Sequence, residues 1–269
     1  MKITIIGAGN MGGAIAKGLA QGSYFEEKDI TVTARSQETL DQLKSGNPAF
    51  NVMNDNAEAV KGADIIVLAI KPWLLESVIT QIRRGLDFKR QIILSVVAGV
   101  SFDDLIKMLT DNNEEDDEMI NPVLFRVIPN TAIAIRESMT IISAYNSSDK
   151  QDALITGIFN EHGKAILIEE HLMGAATALC SCGIAYALKY IKSATDAGVE
   201  LGFYPDQASD MISQTVKGAA QLLLTNHSMA DTEIYKVTTP GGITIKGLNE
   251  MEAAGFPTAV RAGIKASVK

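Results

Sequence analysis

Short hydrophobic runs alternate with stretches of helical spacing along roughly the first 170 residues of the chain. Two of these runs, residues 65–70 and 92–97, are apolar almost without interruption, as expected for strands that are covered on both faces. Strands that alternate with helices are typical of βαβ units and a mostly parallel sheet. The pattern predicts strands at residues 2–7, 29–34, 64–70, 91–97, 123–128, 139–144 and 165–169.

The hydrophobic period changes after residue 169, and the rest of the chain has helical spacing. Helices are predicted at residues 171–202, 205–226, 244–254 and 258–268. Pro205 fits the first turn of the second helix, where its missing N–H costs nothing. We therefore expect an α/β fold in which a Rossmann-type, doubly wound and mostly parallel sheet (residues 1–169) precedes an all-helical domain (residues 170–269).

The predicted helical domain lacks the side chains for a core of its own. Two long helices with few aromatic residues cannot bury their apolar faces alone. The domain is therefore predicted to pair with another subunit; the family resemblance described below implies a homodimer through this domain, alone or within a larger oligomer.

Composition and charge narrow the class of protein. With 46% hydrophobic and 21% charged residues, the composition is that of an ordinary globular protein. A net charge of −8 leaves little attraction for a phosphate backbone, so nucleic acid is not an expected partner. No run approaches the roughly 18 apolar residues of a membrane span, and no signal-peptide pattern follows Met1. These features predict a cytoplasmic protein without a membrane partner.

Cysteine and histidine are too sparse for a predicted metal site. Cys180 and Cys182 lie two positions apart in a predicted helix and are interpreted as small buried thiols. The acidic residues 111–118 are interpreted as a solvated loop, because nothing predicts that their carboxylates fold back around an ion.

A glycine-rich turn follows the first predicted strand and precedes a helix. In it, Gly7 permits the tight turn, Gly9 lets the backbone approach a pyrophosphate, and Gly12 allows close packing of helix on strand. The phosphates would then meet the free N–H groups at the helix N-terminus, beside Asn10 and Met11. This context predicts a dinucleotide cofactor.

The end of the second predicted strand distinguishes between the two nicotinamide coenzymes. An NAD site is expected to place Asp or Glu there, on the ribose 2′-hydroxyl, whereas this chain has Arg35 and Ser36. A guanidinium and a hydroxyl can bind a 2′-phosphate, which predicts NADP, with NADPH preferred over NADH. The alternative is that Arg35 is a surface arginine at the start of a helix.

Further cofactor contacts are expected where other strands end, since ligands bind at the carboxyl edge of open α/β sheets. Lys71 could face the cofactor or the substrate, and Ala98-Gly99 is small enough to let a nicotinamide ring approach the backbone. The alternatives are a solvated lysine and a plain turn. The further predicted cofactor contacts are Asn56, Ala69, Lys71, Pro72, Ala98 and Gly99.

These motifs resemble those of the pyrroline-5-carboxylate reductases over nearly the whole chain. The resemblance rests on the glycine turn, on residues 69–72, 98–100, 126–131 and 214–215, and above all on residues 237–248, which read Val-Thr-Thr-Pro-Gly-Gly-Ile-Thr-Ile-Lys-Gly-Leu. It implies NADPH-dependent reduction of 1-pyrroline-5-carboxylate to L-proline, the last step of proline biosynthesis, by hydride transfer to the imine carbon.

The Pro-Gly-Gly run also suggests where a substrate binds. Gly241 and Gly242 expose backbone N–H groups just before a helix, which suits a carboxylate. The resemblance implies that Thr244 is the catalytic residue and hydrogen-bonds the ring nitrogen or the carboxylate of the substrate. Thr239 and Asn130 complete the predicted substrate site. Alternatively, one of the two threonines caps the helix and Asn130 belongs to an ordinary turn.

No acid–base dyad is predicted, because imine reduction depends mainly on positioning. Two departures from the family pattern leave alternatives open. Residues 180–186 read Cys-Ser-Cys-Gly-Ile-Ala-Tyr in place of a Ser-Gly-Ser-Gly-Pro-Ala-Tyr-like run, and Ile243 stands before Thr244. The chain could be a related imine reductase or a β-hydroxyacid reductase, with Lys189 or Lys192 as general acid. It could also bind NADP without turnover.

Overall fold

The computed structural model describes residues 1–110 and 121–268. The acidic residues 111–118, interpreted above as a solvated loop, lie outside the described residues. The described chain divides into two units, Met1–Ser181 with Val268, and Cys182–Ser267.

One sheet organises the first unit. Its strands are β1 (Ile3–Ile6), β2 (Ile30–Thr33), β3 (Asn51–Met53), β4 (Ile65–Leu68), β5 (Ile92–Ser95), β6 (Val123–Ile128), β7 (Ser138–Tyr145) and β8 (Gly163–Leu167). They lie in the order β3-β2-β1-β4-β5-β6-β7-β8, and every neighbouring pair is parallel except β6 with β7. This order is that of a doubly wound nucleotide-binding sheet, which confirms the predicted fold class.

Helices cover both faces of this sheet and explain its continuous apolar strands. Alternate residues of β4 join different clusters: Ile65 and Val67 pack with α1 (Asn10–Leu19) on one face, whereas Ile66 and Leu68 pack on the other. The second face is covered by α4 (Leu75–Ile82) and α5 (Phe102–Leu109). Successive strand side chains point to opposite faces, so burial of all four requires helices on both sides.

The hydrophobic pattern missed one strand and set some strand ends too far out. β3 is a short strand without a single fully buried residue, and pairing with β2 holds it in the sheet. A strand that lacks a hydrophobic run leaves no signal in the pattern. The predicted strands 64–70 and 91–97 run past the last residues of β4 and β5, since the chain turns away into loops at the carboxyl edge of the sheet.

The other helices of the first unit connect these strands, except the last helix, which follows β8. They are α2 (Gln37–Gly46), α3 (Asn56–Ala59), α6 (Asp149–Asn160) and α7 (Met173–Ala176). The predicted helix 171–202 corresponds to the helical stretch Glu170–Glu200, which is irregular near its start, with a π-helical turn at Thr177–Ser181 followed by a turn residue at Cys182. Cys180 and Cys182 in this irregular segment are half-buried and free, so the interpretation as buried thiols is wrong.

Helices α8 (Gly183–Glu200), α9 (Pro205–Asn226), α10 (Ala230–Val237), α11 (Ile243–Ala253) and α12 (Phe256–Ala266) make up the second unit. The predicted helix 205–226 is confirmed residue for residue by α9, which has Pro in its first turn. Helix α10 was not predicted; it has only eight residues, too few for helical spacing to be distinguished from a connecting segment.

The second unit has almost no interior within one chain. Between Cys182 and Ser267, the only described residue that reaches full burial is Ala208, which is 5% exposed. Over the described residues, one helical stretch, Glu170–Glu200, has the length and mean hydropathy, 1.4, of a membrane span by composition alone. Only 11% of its most apolar window is buried in the chain. These helices therefore carry apolar surface that a single chain leaves uncovered.

Candidate cofactor and substrate sites

The glycine turn between β1 and α1 is built without room for side chains. Gly7 has φ +100°, and a Cβ there would lie 2.5 Å from the carbonyl oxygen of Ala69. A Cβ on Gly12 would lie 1.9 Å from the carbonyl oxygen of Gly7. The first glycine therefore sets the turn, and the third brings the helix down onto it.

Gly9 lies where the turn opens to solvent. It is exposed, nothing lies within 4 Å of a Cβ built on it, and it is the N-cap of α1 without any side-chain cap. Asn10 and Met11 open the helix directly after it. Uncapped N–H groups at the start of a ten-residue helix present a positive end to an anion, which fits the pyrophosphate of a dinucleotide.

Arg35 and Ser36 follow β2, the strand next to the glycine turn. Arg35 is exposed, and among the described residues its guanidinium has no hydrogen-bond or ion-pair partner. The Ser36 hydroxyl is already engaged: it is the N-cap of α2 and accepts the N–H of Thr39 at 3.3 Å. The Arg35 guanidinium is thus available to a ligand phosphate, whereas the Ser36 hydroxyl already caps α2.

Asn56 belongs to a polar chain beneath the turn. Its Oδ1 accepts the hydroxyl of the buried Thr33 at 2.7 Å, and its Nδ2 donates to Gln81 at 3.1 Å. The Thr33 hydroxyl also lies 3.3 Å from the amide nitrogen of Gly7. Asn56 and Gln81 line a shallow, open depression at the protein surface. The predicted cofactor ligand therefore also supports the glycine turn through Thr33.

The segments that follow β4 and β5 lie along the same carboxyl edge of the sheet as the glycine turn. Ala69 continues the pairing with β1 through its N–H, which donates to the carbonyl of Ile6 at 2.8 Å. Lys71 and Pro72 are exposed at the start of a short 3₁₀ turn, and Ala98 and Gly99 are exposed after β5. Those predicted contacts are thus open to a ligand at the edge where α/β sheets bind them.

The amide of Asn130 is used within the protein. Asn130 is buried after β6, its Oδ1 accepts the N–H of Ala132, and its Nδ2 donates to the carbonyl of Cys180 at 3.3 Å. The last bond ties the end of β6 to the π-helical turn Thr177–Ser181. π-Helical turns frequently occur at functional sites. The structure gives Asn130 a shaping part here, and direct contact with substrate stays a prediction.

The Cys180 side chain lies in that same turn. Burial raises the pKa of the Cys180 thiol, which keeps it protonated and therefore a poor nucleophile. This agrees with chemistry that needs no covalent nucleophile.

The Pro-Gly-Gly run forms a tight turn between α10 and α11. The N–H of Gly242 donates to the carbonyl of Thr239 at 2.9 Å, and Gly241 has φ +72°. Proline followed by a left-handed residue at the centre of such a turn is the type II pattern, which favours glycine at the second position. A Cβ on Gly242 would lie 2.5 Å from the Thr239 hydroxyl oxygen. Gly241 is therefore required by its backbone conformation, whereas a side chain at Gly242 would first displace the Thr239 hydroxyl.

Neither threonine caps the helix that follows. Gly242 is the N-cap of α11 and no side chain accepts from its first turn. Thr239 and Thr244 are exposed, and among the described residues no hydrogen bond involves the Thr244 hydroxyl. The capping alternative is thereby removed, and an eleven-residue helix offers free N–H groups with a free threonine hydroxyl beside them.

The Pro-Gly-Gly turn follows helix α10, and Glu233 on this helix binds polar side chains around it. The Glu233 carboxylate accepts from Lys236, Ser228 and Asn226, and these donors lower its pKa to about 2. The carboxylate therefore stays charged throughout the pH range in which an enzyme works.

The two lysines considered as general acids lie on α8. Lys192 pairs with Asp196 at 2.7 Å, and both Lys189 and Lys192 are exposed, as expected for a solvated helix face.

Arg126 and Glu170 form an ion pair that the sequence analysis did not predict. The Nη1 atom of Arg126, on β6, lies 2.8 Å from Oε1 of Glu170. The signal was an arginine within the apolar strand Val-Leu-Phe-Arg-Val-Ile, where a charge must find a partner.

Two protein families match parts of the chain. Residues 170–269 match the family described as pyrroline-5-carboxylate reductase dimerisation, and residues 2–99 match the family described as NADP oxidoreductase coenzyme F420-dependent.

Individual relatives match nearly the whole chain. Pyrroline-5-carboxylate reductase 2 of Dictyostelium discoideum is 36% identical over 99% of this chain and 91% of its own length. Pyrroline-5-carboxylate reductase 1 of the same organism is 37% identical over 98% of this chain, which spans about half (48%) of that longer relative. The crystal structure of Plasmodium falciparum pyrroline carboxylate reductase with NADP bound is similar with a TM-score of 0.87 and 27% identity, covering 100% of this chain and 95% of that one.

Proposed function

The chain belongs to the pyrroline-5-carboxylate reductase family, and from this membership we propose that it reduces 1-pyrroline-5-carboxylate to L-proline with NADPH, the last step of proline biosynthesis. The observation that carries the proposal is similarity over the full chain, 36% identity across 99% of its residues, to a reductase of that name. Two local features support the proposal: the open backbone at Gly9 in the glycine turn, and the uncapped start of α11 after the Pro-Gly-Gly turn.

NADP fits the first unit. The open backbone at Gly9 and the uncapped start of α1 would receive the pyrophosphate, and Arg35 would bind the 2′-phosphate with support from Ser36. The free guanidinium supports NADPH over NADH. The predicted contacts at Asn56, Ala69, Lys71, Pro72, Ala98 and Gly99 would complete the site. When bound, the coenzyme supplies the hydride.

The Pro-Gly-Gly turn fits a cyclic imino acid. The N–H groups at Gly241 and in the first turn of α11 would bind the substrate carboxylate, and the Thr244 hydroxyl would hydrogen-bond the ring nitrogen. The N–H of Gly242, predicted as a further donor, is instead used within the turn, where it donates to Thr239. A protonated imine makes the adjacent carbon electrophilic, so the protein's task is to orient this carbon and exclude water. Thr239, beside Gly242, shapes the same turn.

We further propose that residues 1–169 bind the cofactor and that residues 170–269 bind substrate and form a homodimer, either alone or as the unit of a larger oligomer. The exposed apolar side chains of α8 and α9 and the match to a dimerisation family support this. A partner subunit would also account for the apolar stretch Glu170–Glu200 without a membrane. A cytoplasmic location belongs to the same proposal.

A steady-state assay with synthetic 1-pyrroline-5-carboxylate and each nicotinamide coenzyme tests the function. Oxidation of NADPH that depends on this imine, exceeding that with a panel of 3-hydroxy and keto acids, is the expected result. Preference for a hydroxy or keto acid would favour the β-hydroxyacid reductase alternative. Cofactor binding without any substrate-dependent oxidation would favour an NADP-binding protein without turnover.

A further inference from the structure

The Glu170 carboxylate joins strand β6 to the turn that follows β5. Its Oε1 atom accepts the backbone N–H of Phe102 at 2.7 Å and the Nη1 donor of Arg126 at 2.8 Å. The Arg126 side chain is 11% exposed and that of Glu170 is 36% exposed. One oxygen atom therefore connects the start of α5 with a nearly buried guanidinium.

The N-terminus of α5 is held from two sides. Phe102 is its first residue, so the Glu170 charge lies at the positive end of the helix. Ser101 and Asp104 form a capping box on the same turn. Phe102 itself is buried, with its ring centroid 5.6 Å from that of Tyr145. Ala98 and Gly99 lie four and three residues before Phe102, so their turn leads directly into this anchored helix start.

The ion pair is poorly suited to serve stability alone. Removing two charges from water costs free energy that a single hydrogen-bonded contact often fails to recover. In addition, Arg126 Nε is buried and has no hydrogen-bond partner among residues 1–110 and 121–268. A stability role would be met as well by apolar side chains. Compared with apolar side chains, the charged groups of Arg126 and Glu170 add directional hydrogen bonds that fix the geometry of this contact.

We propose that Glu170, anchored by Arg126, is a positioning residue that holds the Ala98-Gly99 turn where the nicotinamide ring of the coenzyme lies. The proposal rests on the proposed function, because it assigns the ring to this turn. Glu170 acts through Phe102 and the backbone, and touches neither coenzyme nor substrate.

The test compares the whole coenzyme with a fragment that lacks nicotinamide. In the full-length protein, Glu170→Gln should weaken NADPH binding about tenfold and lower kcat, as expected when a charge-assisted hydrogen bond no longer holds a ligand-facing turn. The affinity for 2′,5′-ADP, which carries the 2′-phosphate but no nicotinamide, should stay unchanged. Arg126→Met should likewise weaken NADPH binding and leave the affinity for 2′,5′-ADP unchanged. The double variant should bind NADPH no more weakly than whichever single variant has the lower NADPH affinity.

A matched control lies at the opposite edge of the sheet. Asp64 also accepts one backbone N–H, from Lys2 at 2.8 Å, and one arginine donor, Arg90 Nη1 at 2.8 Å. Its arginine is more exposed than Arg126, 46% against 11%. Asp64→Asn removes an equivalent pair from the amino end of β4 and should leave the ratio of NADPH to 2′,5′-ADP affinity unchanged.

The outcomes separate this inference from the proposed function. If the wild-type protein bound neither NADPH nor 2′,5′-ADP, both would be overturned. If it reduced 1-pyrroline-5-carboxylate but Glu170→Gln left the affinity ratio unchanged, or weakened both ligands equally, only the positioning role would be overturned. Glu170→Asp keeps the charge but shortens the side chain. It should show the same split in a smaller degree, and it serves if Glu170→Gln does not fold.

Discussion

Gly12 packs directly on the carbonyl oxygen of Gly7, which would lie 1.9 Å from a Cβ at residue 12. No rotation of a side chain can relieve such a contact, because the oxygen belongs to the backbone and the position of a Cβ is set by the backbone alone. The contact sets how closely α1 approaches β1. The same contact therefore places both the start of α1 and the open position at Gly9. Substitutions at Gly12 and Gly9 can nevertheless distinguish the effect on stability from the effect on cofactor binding.

Gly12→Ala should destabilise the protein by about 1–3 kcal/mol or more, as overpacking does. Gly9→Ala should cost less than about 1 kcal/mol, because a Cβ there meets nothing within 4 Å. It should nevertheless weaken NADPH binding at least about tenfold by occupying the approach of the pyrophosphate. Urea unfolding and cofactor titration measure the two effects. Gly13→Ala, with 3.9 Å to its nearest neighbour, is the control for both.

Arg35→Ala should raise KM for NADPH by about 10–100-fold and KM for NADH only slightly. A charged hydrogen bond to the 2′-phosphate contributes about 1.5–3 kcal/mol, and NADH has no such group. Arg35→Lys should recover part of the discrimination, since it keeps the charge but loses the planar fork. Equal losses with both coenzymes would show that the 2′-phosphate assignment is wrong.

Thr244→Ala should lower kcat/KM for 1-pyrroline-5-carboxylate by an amount equivalent to about 1–3 kcal/mol, the cost of losing a polar partner in the transition state. Stability should not change, because Gly242 rather than a threonine is the N-cap of α11. Thr244→Ser keeps the hydroxyl and is expected to retain most of the activity. Indifference of the rate to Thr244→Ala would favour a protein without turnover.

Leu222→Glu should dissociate the proposed oligomer. Leu222 and Met211 lie eleven residues apart on one face of α9 and are 47% and 54% exposed in the single chain. A buried charge without a partner would cost several kcal/mol in an interface. Sedimentation of the variant should give monomer, while Gln42→Glu, which adds the same charge to exposed α2, should sediment as wild type. A wild-type monomer at all concentrations would contradict the dimer itself.

His162 should make stability depend on pH. Burial lowers its pKa in the folded protein, and neighbouring Arg136 adds to this while Glu161 opposes it. Near and below pH 6.5, the ordinary pKa of histidine, the unfolded chain therefore binds more protons at His162 than the folded protein does. The contribution of His162 to the free energy of unfolding is fully present above pH 6.5 and decreases as the pH falls below it. His162→Gln should reduce the difference between urea unfolding at pH 7.5 and pH 5.5. An unchanged difference would assign the pH dependence to other groups. The lowered pKa of Glu161 matters only at lower pH.

The sequence by itself determined the fold class and most of the elements. Runs such as Ile65–Leu68 specify strands buried on both faces, and the glycines at positions 7, 9 and 12 specify a turn whose steric needs are local. The Pro-Gly-Gly turn is similarly encoded, because proline suits the second position of a type II turn and Gly241 suits the left-handed third position. Local conformational preference and hydrophobic period act within a few residues, so they can be read along the chain.

Only the tertiary structure decided which polar side chains are engaged and which are free. Glu170 and Phe102 are 68 residues apart in the chain, and Asn130 and Cys180 are 50 apart, yet each pair is hydrogen-bonded. Strand β3 is held in the sheet by its pairing with β2. The Thr244 hydroxyl is not used for capping, because Gly242 is the N-cap of α11. These relationships depend on which distant segments the packed sheet brings within 3 Å or so of each other, and hydrogen bonds at that range leave no periodic trace in a sequence.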